Sequence, residues 1–166
     1  MKHPLGILAV VLTLTLGTGA LAHAGAFHLA PAYQKNINNA VCCEQRKDTE
    51  RARQYWAKVA EYGDELLAGG ATLPGYYMGT ARAHYALGDF AKAASLYEAL
   101  LERGREQGIP DLALAYPWAY VYLGLAYAEL GDTAKTVAAW KQVPMAIGPL
   151  YGVIRAELVK LENGAQ

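Results

Sequence analysis

A Leu-Gly-Asp block recurs along this chain within a longer repeated pattern, and that recurrence limits the fold more than any other feature. Ala86-Leu87-Gly88-Asp89 returns 43 residues later as Glu129-Leu130-Gly131-Asp132. The match extends on both sides. Downstream, Asp89-Phe90-Ala91-Lys92-Ala93 lies four residues before Tyr97, and Asp132-Thr133-Ala134-Lys135-Thr136 lies four before Trp140. Upstream, Tyr77, Ala81 and His84 correspond to Tyr120, Gly124 and Tyr127. A third copy, with fewer matches, ends in Lys47-Asp48-Thr49-Glu50-Arg51-Ala52, four residues before Trp56. Self-similarity at a period of 20–50 residues marks an array of supersecondary units that bury their apolar faces against one another.

Each copy reads as helix, tight turn, helix. Gly88 and Gly131 suit the position just past a helix, where the backbone turns left-handed. Asp89, Asp132 and Asp48 then suit the N-cap of the following helix, where a carboxylate accepts orphan N–H groups. Ala40, Ala81 and Gly124 are small enough to let two helices approach. Trp56, Tyr97 and Trp140 are large enough to fill the space between hairpins. Phe90, Ala93, Ala94, Tyr97, Leu100 and Leu101 recur at helical spacing. Pro149, Leu150, Val153, Ile154, Leu158 and Leu161 form the stripe of a closing helix with a polar side at Glu157, Lys160 and Glu162.

The run Tyr120-x2-Leu123-Gly124-x2-Tyr127-x2-Leu130-Gly131-Asp132 resembles the first helix of a tetratricopeptide repeat, and Ala93-x3-Tyr97 resembles the second. The period here is about a quarter longer than the roughly 34 residues of that family, and Thr80 and Thr136 stand where small or apolar residues are usual. The extra residues are expected to lengthen each second helix and the loop after it. The resemblance implies an all-α fold: a right-handed α-solenoid of about three helix hairpins, units 33–73, 74–116 and 117–148, with a C-terminal capping helix over 150–163. No Pro/Ser-rich linker divides the rest of the chain, so one domain is expected over residues 25–166.

The first 24 residues read differently. Met1-Lys2-His3 precedes an apolar run from Leu5 to Leu16, then small residues with two A-x-A matches, at Ala20-Leu21-Ala22 and Ala22-His23-Ala24. That order is a secretory signal peptide, with cleavage after Ala22 or Ala24. Thr13, Thr15, Gly17 and Thr18 interrupt the run and leave it short of a membrane span. The expected location is periplasmic, with no membrane span after cleavage.

Charge and cysteines narrow the chemistry. Fifteen basic residues balance fifteen acidic ones, which leaves no electrostatic footprint for nucleic acid. The two cysteines, Cys42 and Cys43, are adjacent. They are candidates for a disulfide or a metal pair in an oxidising compartment. On a helix, however, neighbours point about 100° apart, which opposes a ring between them, and a buried structural thiol is the competing reading. His28 with the two cysteines matches no established ligand spacing. There is no G-x-S-x-G, H-E-x-x-H or P-loop lysine motif, so the chain is expected to be no enzyme, with no cofactor and no metal.

In tetratricopeptide proteins the first helices line a concave face. The resemblance carries that role to Ile37 and Val41 in unit one, Met78, Arg82 and Tyr85 in unit two, and Trp118, Val121 and Leu125 in unit three. Those residues lack the Lys/Asn set with which some relatives clamp a terminal carboxylate. An apolar, aromatic surface with one cation suits a peptide, a helix or another subunit, and self-association is left open. Tyr76, Tyr85, Tyr116 and Tyr122 are tyrosines the repeat does not require. The expectation is a protein-binding scaffold; the alternative is a redox or metal-handling accessory protein using Cys42-Cys43.

Overall fold

The structure is a computed structural model and describes residues 27–164. The segment 1–24, expected to be a signal peptide, lies outside the described residues. Among those residues every regular element is helical: α1 (Ala30–Gln45), α2 (Thr49–Ala68), α3 (Pro74–Leu87), α4 (Phe90–Glu106), α5 (Leu112–Ala115), α6 (Pro117–Glu129), α7 (Thr133–Lys141) and α8 (Pro149–Gly164), with short 3-10 turns at Phe27–Leu29 and Met145–Ile147. The hairpins α1–α2, α3–α4 and α6–α7 and the closing α8 are the elements of the expected all-α repeat. The chain separates into two compact units, Met1–Gly79 and Thr80–Gln166, and the boundary falls inside α3.

One backbone device makes all three hairpin turns. The N–H groups of Asp48, Asp89 and Asp132 reach back to the carbonyls of Cys43, His84 and Tyr127 at 3.0, 2.9 and 2.9 Å. The preceding residues, Lys47, Gly88 and Gly131, bond to Glu44, Tyr85 and Ala128. This pair of bonds is the Schellman motif, which satisfies carbonyls a helix end would leave bare. The same aspartates then cap the next helix. Asp48, Asp89 and Asp132 accept the N–H of Arg51, Lys92 and Lys135 at 3.2, 3.2 and 2.9 Å. Each cap contributes about 1 kcal/mol. Gly88 and Gly131 sit at φ 91° and 76°, as the turn demands, while Lys47 is held at φ 59°, the one positive-φ residue other than glycine among the described residues.

The first unit is the α1–α2 hairpin and the opening turns of α3. Helix α1 begins at Ala30, and Pro31 fits its first turn. Tyr33 is fully buried and donates its hydroxyl proton to the carbonyl of Tyr76 at 3.1 Å, with the ring edge-on to Tyr76 at 5.5 Å. Gly79 lies directly beneath: a Cβ there would stand 2.2 Å from the Tyr33 oxygen and 2.9 Å from Ile37 Cδ1. Trp56 fills the hairpin, and its indole N–H meets the Glu44 carboxylate at 2.8 Å.

In the second unit Tyr97 and Trp140 are buried as the repeat requires, and Trp140 donates its indole N–H to the Val121 carbonyl at 3.1 Å. The contact depends on Gly124, where a Cβ would come within 2.2 Å of the Trp140 ring. Thr136 is buried and returns its hydroxyl to the Asp132 carbonyl at 2.9 Å, which explains a polar residue at that place. The added length of the repeat is spent unevenly. Helices α2 and α4 have 20 and 17 residues, but α7 has nine, so the expected lengthening of every second helix holds for the first two only. After α4 the surplus forms α5, whose Leu112 packs where Gly104 leaves room. Leu150, Ile154 and Leu158 bury the stripe of α8, while Val153 faces solvent.

Lys47→Gly removes the left-handed strain on a side chain and should stabilise the chain by about 1 kcal/mol, raising Tm by about 2–4 °C. Gly88→Ala should lower Tm by a comparable amount. Gly124→Ala forces Trp140 from its place and should cost about 1–3 kcal/mol. Thermal unfolding followed by circular dichroism checks all three.

Candidate partner-binding surface

The eight residues expected to line a binding face fall into different environments. In the first unit Ile37 is core, 8% exposed, because it packs at Gly79; Val41 and Met78 are half-buried. In the second unit Val121 and Leu125 are also core, 1% and 6% exposed, and offer a partner almost no area. Arg82, Tyr85 and Trp118 are half-buried and come together with a residue the expected set omitted, Tyr122.

Tyr122 is the centre of this group. Its ring stacks on buried Tyr97 at 6.1 Å with 10° between planes. It meets Tyr85 edge-on at 6.0 Å and Trp118 at 6.3 Å with a 35° tilt. The Arg82 guanidinium carbon lies 5.1 Å from the Tyr122 ring centre and 5.8 Å from that of Tyr85, within the range of cation–π attraction. Tyr85 also meets Phe90 edge-on at 5.3 Å. A ladder therefore runs from the core at Tyr97, through Tyr122, to a planar cation. Helix α3 supplies Arg82 and Tyr85 one turn apart, and α6 supplies Trp118 and Tyr122 with the same logic.

Electrostatics agree with this geometry. Burial, and then the negative charge of Glu129, push the Tyr85 phenol above its ordinary range, while Arg82 pulls it down. Tyr127 lies deeper. It donates a short hydrogen bond to the Glu98 carboxylate, and the Lys135 ammonium sits 4.9 Å from its ring centre. Burial, that hydrogen bond and the charge of Glu98 push its phenol far above the usual range. His84, which corresponds to Tyr127 in the repeat, is largely buried, with Nδ1 3.3 Å from Asp89 Oδ2.

Cys42 and Cys43 are unbonded, half-buried and consecutive on α1. Among the described residues no group of three or more His, Cys, Asp or Glu is placed to hold a metal ion. No helix among them is long and apolar enough to cross a membrane. His28 lies exposed in the first 3-10 turn.

Helix hairpins in tandem, joined by one repeated turn, define a helical-repeat protein. The family model described as tetratricopeptide repeat matches residues 76–103 and 118–144, the α3–α4 and α6–α7 hairpins. These two hairpins are similar to tetratricopeptide repeats; α1–α2 shares the turn but lies outside the matched segments. No curated protein matches the chain. Tetratricopeptide repeats generally mediate protein–protein interaction and are typically non-catalytic scaffolds.

The thiols give one test: titration of the native protein should return the same thiol count with and without reductant. The phenols give another. Tyr85 and Tyr127 hold their protons more tightly folded than unfolded, so stability is full below pH about 10 and is lost as pH rises beyond it. Urea unfolding at pH 9 and pH 11 should show that decline, and Tyr127→Phe should flatten it.

Proposed function

We propose that this protein is a non-catalytic scaffold of the periplasm that binds a protein or peptide through the Arg82–Tyr85–Trp118–Tyr122 surface. The observation that carries the reading is the layered stack Tyr97–Tyr122–Arg82. It holds a guanidinium in place before any partner arrives, so a partner meets it at reduced entropic cost. Arg, Tyr and Trp are also the residue types that dominate binding hot spots. None of Arg82, Tyr85 or Tyr122 is demanded by the repeat pattern, whereas Tyr97 and Tyr127 are. With one cation among aromatic rings, apolar and aromatic contact selects the partner and charge orients it. The periplasmic location rests on the order of residues in the segment 1–24, a basic start, an apolar run and A-x-A sites.

Affinity capture from the native compartment, run in parallel with Arg82→Glu, tests the surface. A partner bound there should lose affinity for the variant on the order of tenfold or more, with Tm shifted little. Equal capture by a folded Arg82→Glu protein would exclude this face. N-terminal sequencing of the secreted protein should begin at His23 or Gly25; recovery of an intact Met1 terminus in the cytosol would exclude the location.

A further inference from the structure

Helix α8 opens as the first helices of the repeats do, but among the described residues the face on which a second helix would pack stays bare. Pro149 is followed seven positions on by Ala156, as Pro74 is by Ala81 and Pro117 by Gly124. In α3 and α6 this small residue is buried, and in α6 it is where Trp140 of the following helix sits. In α8 it is exposed. So are Gly152, Val159 and Asn163, which share its face at helical spacing. The opposite face, with Leu150, Ile154 and Leu158, is buried, and α8 packs against α7 and the 3-10 turn Met145–Ile147.

Gly152 adds a backbone argument. Gly79, Gly104 and Gly124, also inside helices, each lie under a side chain that a Cβ would strike, whereas a Cβ on Gly152 would meet nothing within 4 Å. Glycine inside a helix is costly, and nothing among the described residues calls for one here. Val153 and Val159 are 49% and 51% exposed. The outward face of α8 is therefore a shallow apolar seam, from Gly152 to Asn163, that admits the close approach of another helix.

The charges beside the seam select the helix that fits. Arg155 and Glu162 lie along one edge and Val153 and Lys160 along the other, all exposed. Within the chain, Lys141 of α7 meets Glu162 at 2.8 Å and Lys160 meets Glu157 at 2.6 Å; Arg155 is the cation of its edge. A second α8 laid antiparallel on the first, with the two-fold axis near residues 157–158, sets Ala156 against the partner's Val159 and Gly152 against the partner's Asn163. Each edge then faces its own copy in reverse. Arg155 meets the partner's Glu162, and the Lys160 stem covers the partner's Val153. A parallel pair would set arginine against arginine and glutamate against glutamate. The face is thus complementary to itself in one direction only, as an isologous interface requires. We infer that α8 docks antiparallel on α8 of a second copy of this chain, through the seam Gly152–Ala156–Val159, and forms a two-fold dimer. One helix pair buries less than the roughly 800 Å² per partner of a standard interface, so the dimer is weak and exchanges freely.

The experiment is analytical ultracentrifugation of the purified protein over roughly 10 µM to 1 mM, kept reduced so that Cys42 and Cys43 form no cross-link. The mass should rise with concentration toward twice that of the monomer. Ala156→Glu alters an exposed helix position, so it should keep the circular dichroism spectrum and Tm while weakening the dimer on the order of tenfold or more. Arg155→Glu and Glu162→Arg should each weaken it alone, and an equimolar mixture of the two should restore it, because the reversed charges then meet their opposites. A native protein that stays monomeric throughout would overturn the inference. So would undiminished association of folded Ala156→Glu or of either charge variant, or a mixture that recovers nothing. Arg82→Glu should dimerise as the native protein does, which separates this face from the partner-binding one; loss of the dimer there would place the interface elsewhere and overturn the assignment to α8.

Discussion

An aspartate that ends one helix and begins the next is the constraint on which the rest of this structure depends. At Asp48, Asp89 and Asp132 the backbone N–H closes the Schellman ring of the first helix, and the carboxylate caps the second. Two sets of orphan polar groups are satisfied by one residue, so the turn needs no longer linker. A turn this short makes neighbouring helices antiparallel and sets which of their faces meet. The cost appears where the repeat has drifted. Lys47 adopts the conformation that glycine supplies in the other two turns, and it does so because the hydrogen bonds on either side leave no alternative.

Close approach follows from that geometry. Gly124 lies against Trp140, and Gly79 lies against Tyr33 and Ile37; in each case a large ring occupies the volume that a missing Cβ leaves. The aromatic residues here therefore serve two purposes that look alike in a sequence. Tyr33, Tyr97 and Trp140 are buried and hold helices together. Tyr85, Trp118 and Tyr122 are half-buried and extend the core outward to Arg82. The candidate surface is continuous with the packing beneath it, and this keeps it rigid.

The parts of the site that were legible in the sequence were those with a contrast to read. Arg82 stood out as the lone cation of its helix face, and Tyr85 as a tyrosine the repeat did not explain. Val121 and Leu125 were misplaced on the surface because α6 is apolar all round, Pro-Trp-Ala-Tyr-Val-Tyr-Leu-Gly-Leu-Ala-Tyr-Ala. A helix without a polar face carries no periodicity from which to tell inside from outside. Ile37 was misplaced for a different reason: its neighbour is Gly79, 42 positions away, and a glycine leaves no trace of what lies over it. Tyr122 is among the tyrosines the repeat does not require, but nothing in the linear order shows that it stacks on Tyr97 and under Arg82.

The sequence alone determined the repeat, the turns and their caps, because these are local: a left-handed residue, an aspartate and an apolar stripe act within a few positions of one another. It also determined the identities at the helix contacts, since a small residue facing an aromatic recurs at the repeat spacing. Only the tertiary structure decided which aromatic residues are core and which form a surface, and which face of the closing helix stays uncovered. Those outcomes depend on distances between residues far apart in the chain, and burial is a property of the packed neighbours rather than of the residue that is buried.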